Sequence, residues 1–139
     1  MDEASRPRMD VTSVTIHAPD PRALAAFYAL LLGWPVTHED PPRPGEPPED
    51  GWSQVRPPAG RIGPTLNFEY EAAGYARPVW PSAPGHPQTQ EHLDIAVSDL
   101  TDTVAWAVEA GATLADFQPQ DDVRVLFDPA GHPFCLFLD

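Results

Sequence analysis

The order strand, helix, strand, strand, strand is written twice into this chain of 139 residues, and no other feature narrows its fold so far. In the first copy Val14, Ile16 and Ala18 alternate with Ser13, Thr15 and His17, the period of a strand with one apolar face. Asp20-Pro21 follows, with Asp suited to an N-cap and Pro to the first helical position. Leu24, Phe27, Tyr28 and Leu31 then recur at helical spacing, and Gly33 offers a left-handed stop. Strand candidates come next at 34–38, 51–56 and 65–71. In the last of these Leu66, Phe68 and Tyr70 alternate with Thr65, Asn67 and Glu69.

The second copy repeats the plan. Leu93, Ile95 and Val97 alternate with His92 and Asp94, and Asp99 can cap a helix over 100–110 that Gly111 ends. Strands are predicted at 112–117, 123–127 and 134–138, with Asp128-Pro129-Ala130-Gly131 as a turn. Ile16-His17-Ala18-Pro19-Asp20 aligns with Ile95-Ala96-Val97-Ser98-Asp99, Phe27 with Trp106, and Pro58-Ala59-Gly60 with Pro129-Ala130-Gly131. Two long copies are the mark of a duplicated module, not of a solenoid. The pattern predicts one α+β domain over 11–139, with module one at 11–73, module two at 91–139 and a loose tail at 1–10. Residues 41–48 are too rich in proline for helix or sheet interior and are expected to loop over the surface. Residues 74–90 read as a linker that Trp80 can pin to the body. Val14, Ile16, Leu93, Ile95 and Val97 are expected to be buried against the helices.

Charge and cysteine content exclude several classes. The formal net charge is -13, and all eight basic residues are Arg. Such a surface repels phosphate backbones and anionic lipid heads, so neither nucleic acid nor membrane is expected as a partner. The single cysteine, Cys135, rules out an intrachain disulfide and fits a reducing compartment. No apolar run approaches a membrane span, and the first ten residues lack the apolar stretch of a secretory signal. A cytoplasmic location is therefore expected. The chain carries no phosphate-cradling glycine loop, no His-Glu-x-x-His and no Gly-x-Ser-x-Gly, which leaves nucleotide-dependent and serine-hydrolase chemistry without support.

Three segments, IHAPDPRALAAFYALLLGWPV, EHLDIAVSDLTDTVAWAVEAGATL and DPAGHPFCLFLD, in this order closely resemble the vicinal-oxygen-chelate superfamily, in its glyoxalase-like and bleomycin-resistance-like branch. The resemblance implies two βαβββ modules whose mixed sheets form an open cup with helices on the outside. It also implies that metal-dependent members hold a divalent ion with one side chain from the first and last strand of each module. Here those positions fall on Ser13, His92, Cys135 and either Asn67 or Glu69. A hard octahedral site wants oxygen or imidazole ligands, and this set supplies few strong ones. No metal or other cofactor is expected.

The fold does not fix the chemistry. The expected site is a metal-independent cup for a small molecule, lined by Ser13, Thr15, His17, Asp94, Asn67, Glu69 and Cys135, with Trp52 and Trp80 as an aromatic wall. His92 is the candidate catalytic group, because strand alternation sets it with Asp94 and opposite Leu93 and Ile95. The residues accommodate both catalysis and plain binding. The alternatives are a divalent-metal lyase, isomerase or dioxygenase, or a drug-sequestering resistance protein. Cys135, between Phe134 and Leu136, is expected to be buried and inert. His132, in a turn, is expected to be exposed. The resemblance further implies a homodimer.

Overall fold

The computed structural model describes residues 6–8 and 10–138. Of the predicted tail, residues 1–5 and 9 lie outside the described residues, and the remainder has no regular secondary structure. The first half comprises β1 (Ser13–Ala18), α1 (Pro21–Leu32), β2 (Val36–Asp40), β3 (Trp52–Val55) and β4 (Thr65–Tyr70). The second comprises β5 (Leu93–Val97), α2 (Leu100–Ala110), β6 (Thr113–Leu114), β7 (Val123–Phe127) and β8 (Pro133–Leu138). Each half makes a four-stranded sheet, ordered β1-β4-β3-β2 and β5-β8-β7-β6. In each, the first strand lies parallel to the last and the remaining pairs are antiparallel. The architecture is the α+β, two-module arrangement that the repeat predicts.

The helices begin and end where the sequence signals stand. Asp20 accepts a hydrogen bond from the Ala23 amide at 3.1 Å, and Asp99 from the Asp102 amide at 2.8 Å. Gly33 closes α1 at φ 69°, a conformation costly for any residue with a Cβ.

One hydrophobic core joins the halves. It runs from Ile16, Leu24, Phe27, Tyr28 and Phe68 to Leu126, Phe134 and Leu136. Helix α1 buries Pro21, Leu24, Ala25, Phe27 and Tyr28, whereas α2 buries only Ala107. The difference arises because α1 packs on its own sheet and also meets the second half. The Phe27 and Phe134 rings stand 6.1 Å apart, and the Tyr28 and Phe134 rings 6.3 Å. Trp106 of α2 stays 46% exposed and donates its indole N–H to the Leu31 carbonyl.

Two expectations need correction. Of the five strand residues expected to be buried, only Ile16 is fully so; Val14, Leu93, Ile95 and Val97 are half-buried at the margin of the core. The light cover given by α2 accounts for the three in β5. The strand expected over 112–117 shortens to Thr113–Leu114. Beyond it the Gln118 side chain takes over the role of a strand neighbour. Its amide donates to the carbonyls of Ala115 and Val125, and its oxygen accepts from the Val125 amide.

The linker is not free. Trp80 packs on the face of the second sheet opposite α2, beside the small cluster of Ala115, Val125 and Cys135. Its ring lies 5.8 Å from Phe117 and 6.4 Å from Phe127. Among the described residues no helix is long and apolar enough to cross a membrane.

Candidate functional site

The residues predicted for the site fall into two groups. On the first sheet, the parallel register sets Thr15 beside Asn67 and His17 beside Glu69, and β3 brings Trp52 beside Glu69. His17 Nε2 lies 3.3 Å from Glu69 Oε2, and Nδ1 lies 3.5 Å from Glu71 Oε2. Asn67 Oδ1 accepts from Gln54 at 3.1 Å, and the Trp52 ring meets His38 edge-on at 4.9 Å. Ser13 is exposed at the start of β1.

On the second sheet, His92 Nε2 lies 3.0 Å from Asp94 Oδ1, and Asp94 is in register with Cys135. Ligand atoms of these three residues all lie within 4.8 Å of one another. Cys135 is buried, as expected, and burial together with the Asp94 charge raises its thiol pKa. Among the described residues no hydrogen bond or ion pair links the two groups.

The positions where the resemblance places metal ligands do not fit a divalent ion. Ser13 offers only a hydroxyl, Asn67 Oδ1 is occupied by Gln54, and Glu69 is engaged by His17. Cys135 must lose its thiol proton to coordinate, and burial with the Asp94 charge works against that loss. Of these positions His92 alone is left as a strong ligand, too few for a stable site.

A cleft of about 570 Å³ lies between β1, the linker and the turn before β8. Thr15 and His17 line it from the first sheet, Tyr75 and Gln90 from the linker, and Glu91 and His132 from the second half. Glu91, Tyr75 and His132 were not foreseen, and the expected exposure of His132 is wrong. His132 is 5% exposed because Asp128, 1% exposed, draws it inward. Asp128 Oδ2 lies 2.8 Å from His132 Nδ1 and accepts from the Tyr28 hydroxyl at 2.7 Å. Asp128 Oδ1 accepts from the amides of Ala130 and His132. Tyr75 donates to the Ala130 carbonyl at 2.7 Å and stands 3.4 Å from His132 Nε2.

Burial pushes these groups toward their protonated forms, with His132 as a special case. Tyr28 is raised well above its ordinary value by burial and then by the Asp128 charge. Tyr75 is pushed up to about 12, again by burial first. The Glu91 carboxyl is raised by burial, against the lowering effect of His132. Burial alone would lower His132, but the hydrogen bond and charge of Asp128 outweigh it, and the net direction is upward.

The Asp128 turn has a readable counterpart. Where module two has Asp128-Pro129-Ala130-Gly131, module one has Pro57-Pro58-Ala59-Gly60. The aspartate breaks the symmetry of the repeat and could have marked the turn. Glu91 likewise falls in phase with Leu93, Ile95 and Val97, an acid on the core-facing side of the strand pattern.

The Glyoxalase-like domain family matches residues 13–137. The chain belongs to this family. Among solved structures, a glyoxalase family protein from Enterococcus faecalis is 25% identical, with 92% of this chain and 96% of that one covered and a TM-score of 0.64. A glyoxalase/bleomycin resistance protein/dioxygenase family enzyme from Burkholderia phytofirmans is 19% identical over 94% and 98% of the two chains, with a TM-score of 0.61. TnmS3, an antibiotic binding protein from Streptomyces, is 19% identical over 96% and 98%, with a TM-score of 0.59. No curated protein matches the chain significantly.

Proposed function

We propose that this glyoxalase-like protein binds a small organic molecule, without a metal, in the cleft between the first sheet and the linker. The observation that carries the reading is that Thr15 and His17, on the polar face of β1, line the same cleft as Tyr75, Glu91 and His132. Its volume, about 570 Å³, is that of a small-molecule site. Polar side chains from three parts of the chain converge there, enough to orient a ligand. A Streptomyces protein of the same fold binds an antibiotic, which supports a ligand-binding reading. A homodimer in the cytoplasm accompanies this reading, and light scattering at micromolar concentration checks the assembly.

The test is a fragment screen by heteronuclear NMR on protein dialysed against chelator. Saturable shifts at His17, Tyr75 and His132 are the expected result. Fragments that shift only residues elsewhere would overturn the location. Stoichiometric uptake of zinc, nickel, manganese or iron by the dialysed protein, with a thermal shift, would overturn the metal-independent reading.

A further inference from the structure

Glu91 is the one cleft-lining carboxylate whose two oxygens are both buried with no hydrogen-bond partner among the described residues. An orphaned buried acceptor is rare in a folded protein and calls for a donor. Its neighbours do not supply one. Carboxylate oxygens of Glu91 and Asp128 and a ring nitrogen of His132 lie within 4.8 Å of one another, but Asp128 already takes His132 Nδ1, the Tyr28 hydroxyl and two amides. His132 and Asp128 therefore satisfy each other and make no hydrogen bond to Glu91. No Arg lines the cleft, since the nearby Arg77 donates instead to the Pro129 carbonyl. His17, the other imidazole on its wall, is shared between Glu69 and Glu71.

The geometry points to an organic cation as the occupant, a primary ammonium or guanidinium whose N–H groups hydrogen-bond to Glu91. This rests on the cleft being the ligand site. A metal ion suits the place less well. With Asp128 saturated, His132 Nδ1 bonded to it and His132 Nε2 facing the Tyr75 hydroxyl at 3.4 Å, Glu91 is left as the one free ligand of the trio, and one ligand does not hold a divalent ion. An organic cation needs fewer contacts, because a charge-assisted hydrogen bond to a desolvated carboxylate is strong and directional. The Tyr75 ring and the Gln88 and Gln90 amides, all on the cleft wall, can accommodate the rest of such a molecule.

The test is calorimetric titration of the full chain with agmatine, tetramethylammonium, butyrate and zinc chloride at low ionic strength. Agmatine should bind, tetramethylammonium at least tenfold more weakly because it cannot donate, and butyrate not at all. Glu91→Gln keeps the shape and removes the charge. It should weaken agmatine at least tenfold while the melting temperature holds or rises. Glu91→Asp, which shortens the reach, should weaken agmatine with folding intact, and Glu49→Gln on the distant 41–50 loop should change nothing. Equal binding of agmatine by wild type and Glu91→Gln would overturn the proposal, as would tighter binding of zinc than of agmatine. Fragments that shift His17, Tyr75 and His132 by NMR while no cation binds would sink the cation and leave the cleft reading standing. No ligand of any charge in the cleft would sink both.

Discussion

The two halves share one topology yet use their second sheet faces in opposite ways. In the first half the face turned from α1 stays polar, with Ser13, Thr15 and His17 exposed along β1. In the second half the linker folds back and sets Trp80 against Val125 and Cys135, making a second, smaller apolar cluster. The helices differ too: α1 is wedged into a core common to both halves, while α2 rests on the outside of its own. A duplicated module thus need not keep duplicated work. The half with the better-covered helix can leave its far face open, whereas the half with the poorly covered helix gains cover from the linker.

The largest effect is expected where the halves are joined. Asp128→Ala strands the Tyr28 hydroxyl, the His132 ring and two turn amides in a buried place. Breaking such a buried pair costs about 3–5 kcal/mol. Chemical denaturation measures it, and a loss below about 1 kcal/mol would mean that the turn does not join the halves. The same junction carries a pH signature. Glu91 and His132 both have folded-state pKa values raised above their ordinary ones. Each therefore contributes stability that is full below its ordinary value and lost as pH rises through its raised folded value. The melting temperature should decline from acid toward mildly alkaline pH, first through the Glu91 window and then through that of His132. Asp128→Asn removes the charge that raises His132 and should flatten the upper part of the decline.

Next comes the contrast between the cores. Ile16 is 1% exposed in β1, and Ile95, its counterpart in the repeat, is only half-buried in β5. Ile16→Ala should cost about 2–5 kcal/mol, and Ile95→Ala about half as much, because fewer contacts are lost. Equal losses would show that α2 covers its sheet as well as α1 does.

A smaller effect is expected at the linker. Trp80 is half-buried, so Trp80→Ala should cost about 2 kcal/mol, less than a fully buried tryptophan. The more diagnostic readout is Cys135, whose burial beside the Trp80 cluster keeps the thiol sheltered. Its labelling rate with a thiol reagent should rise in the variant at least tenfold. An unchanged rate would mean that the linker does not shelter this face.

The sequence carries the fold almost entirely in local terms. Alternation, caps and glycine stops are effects of a few residues, and α1 and α2 have the predicted bounds. The candidate site was legible only in part, for a physical reason. Ser13, Thr15 and His17 declare their face by period alone. The Tyr28–Asp128 hydrogen bond spans 100 residues, and no local pattern announces it. His132 looked exposed because turns usually are; its burial follows from an aspartate that the parallel turn in module one lacks.

The smallest expected stability change belongs to His92, and it sharpens the comparison most directly. His92 sits just before β5, with its side chain 37% exposed and its Nε2 bonded to the still more exposed Asp94. An exposed pair of this kind contributes little, so His92→Ala should alter stability by no more than about 0.5 kcal/mol. His17 is also exposed, 50% by side chain, and it bonds Glu69. The two histidines are matched in setting but lie on different halves, and only His17 lines the cleft. If ligand binding resides in the cleft, His17→Ala should weaken a cleft-binding fragment by about 0.5–1.5 kcal/mol, the worth of one hydrogen bond. His92→Ala should then leave that affinity unchanged. Should His92→Ala weaken binding instead, while both variants melt like wild type, the His92–Asp94 end of the second sheet takes part in the site. The two halves would then act together on one ligand, and the division of labour argued from their contrasting faces would fall.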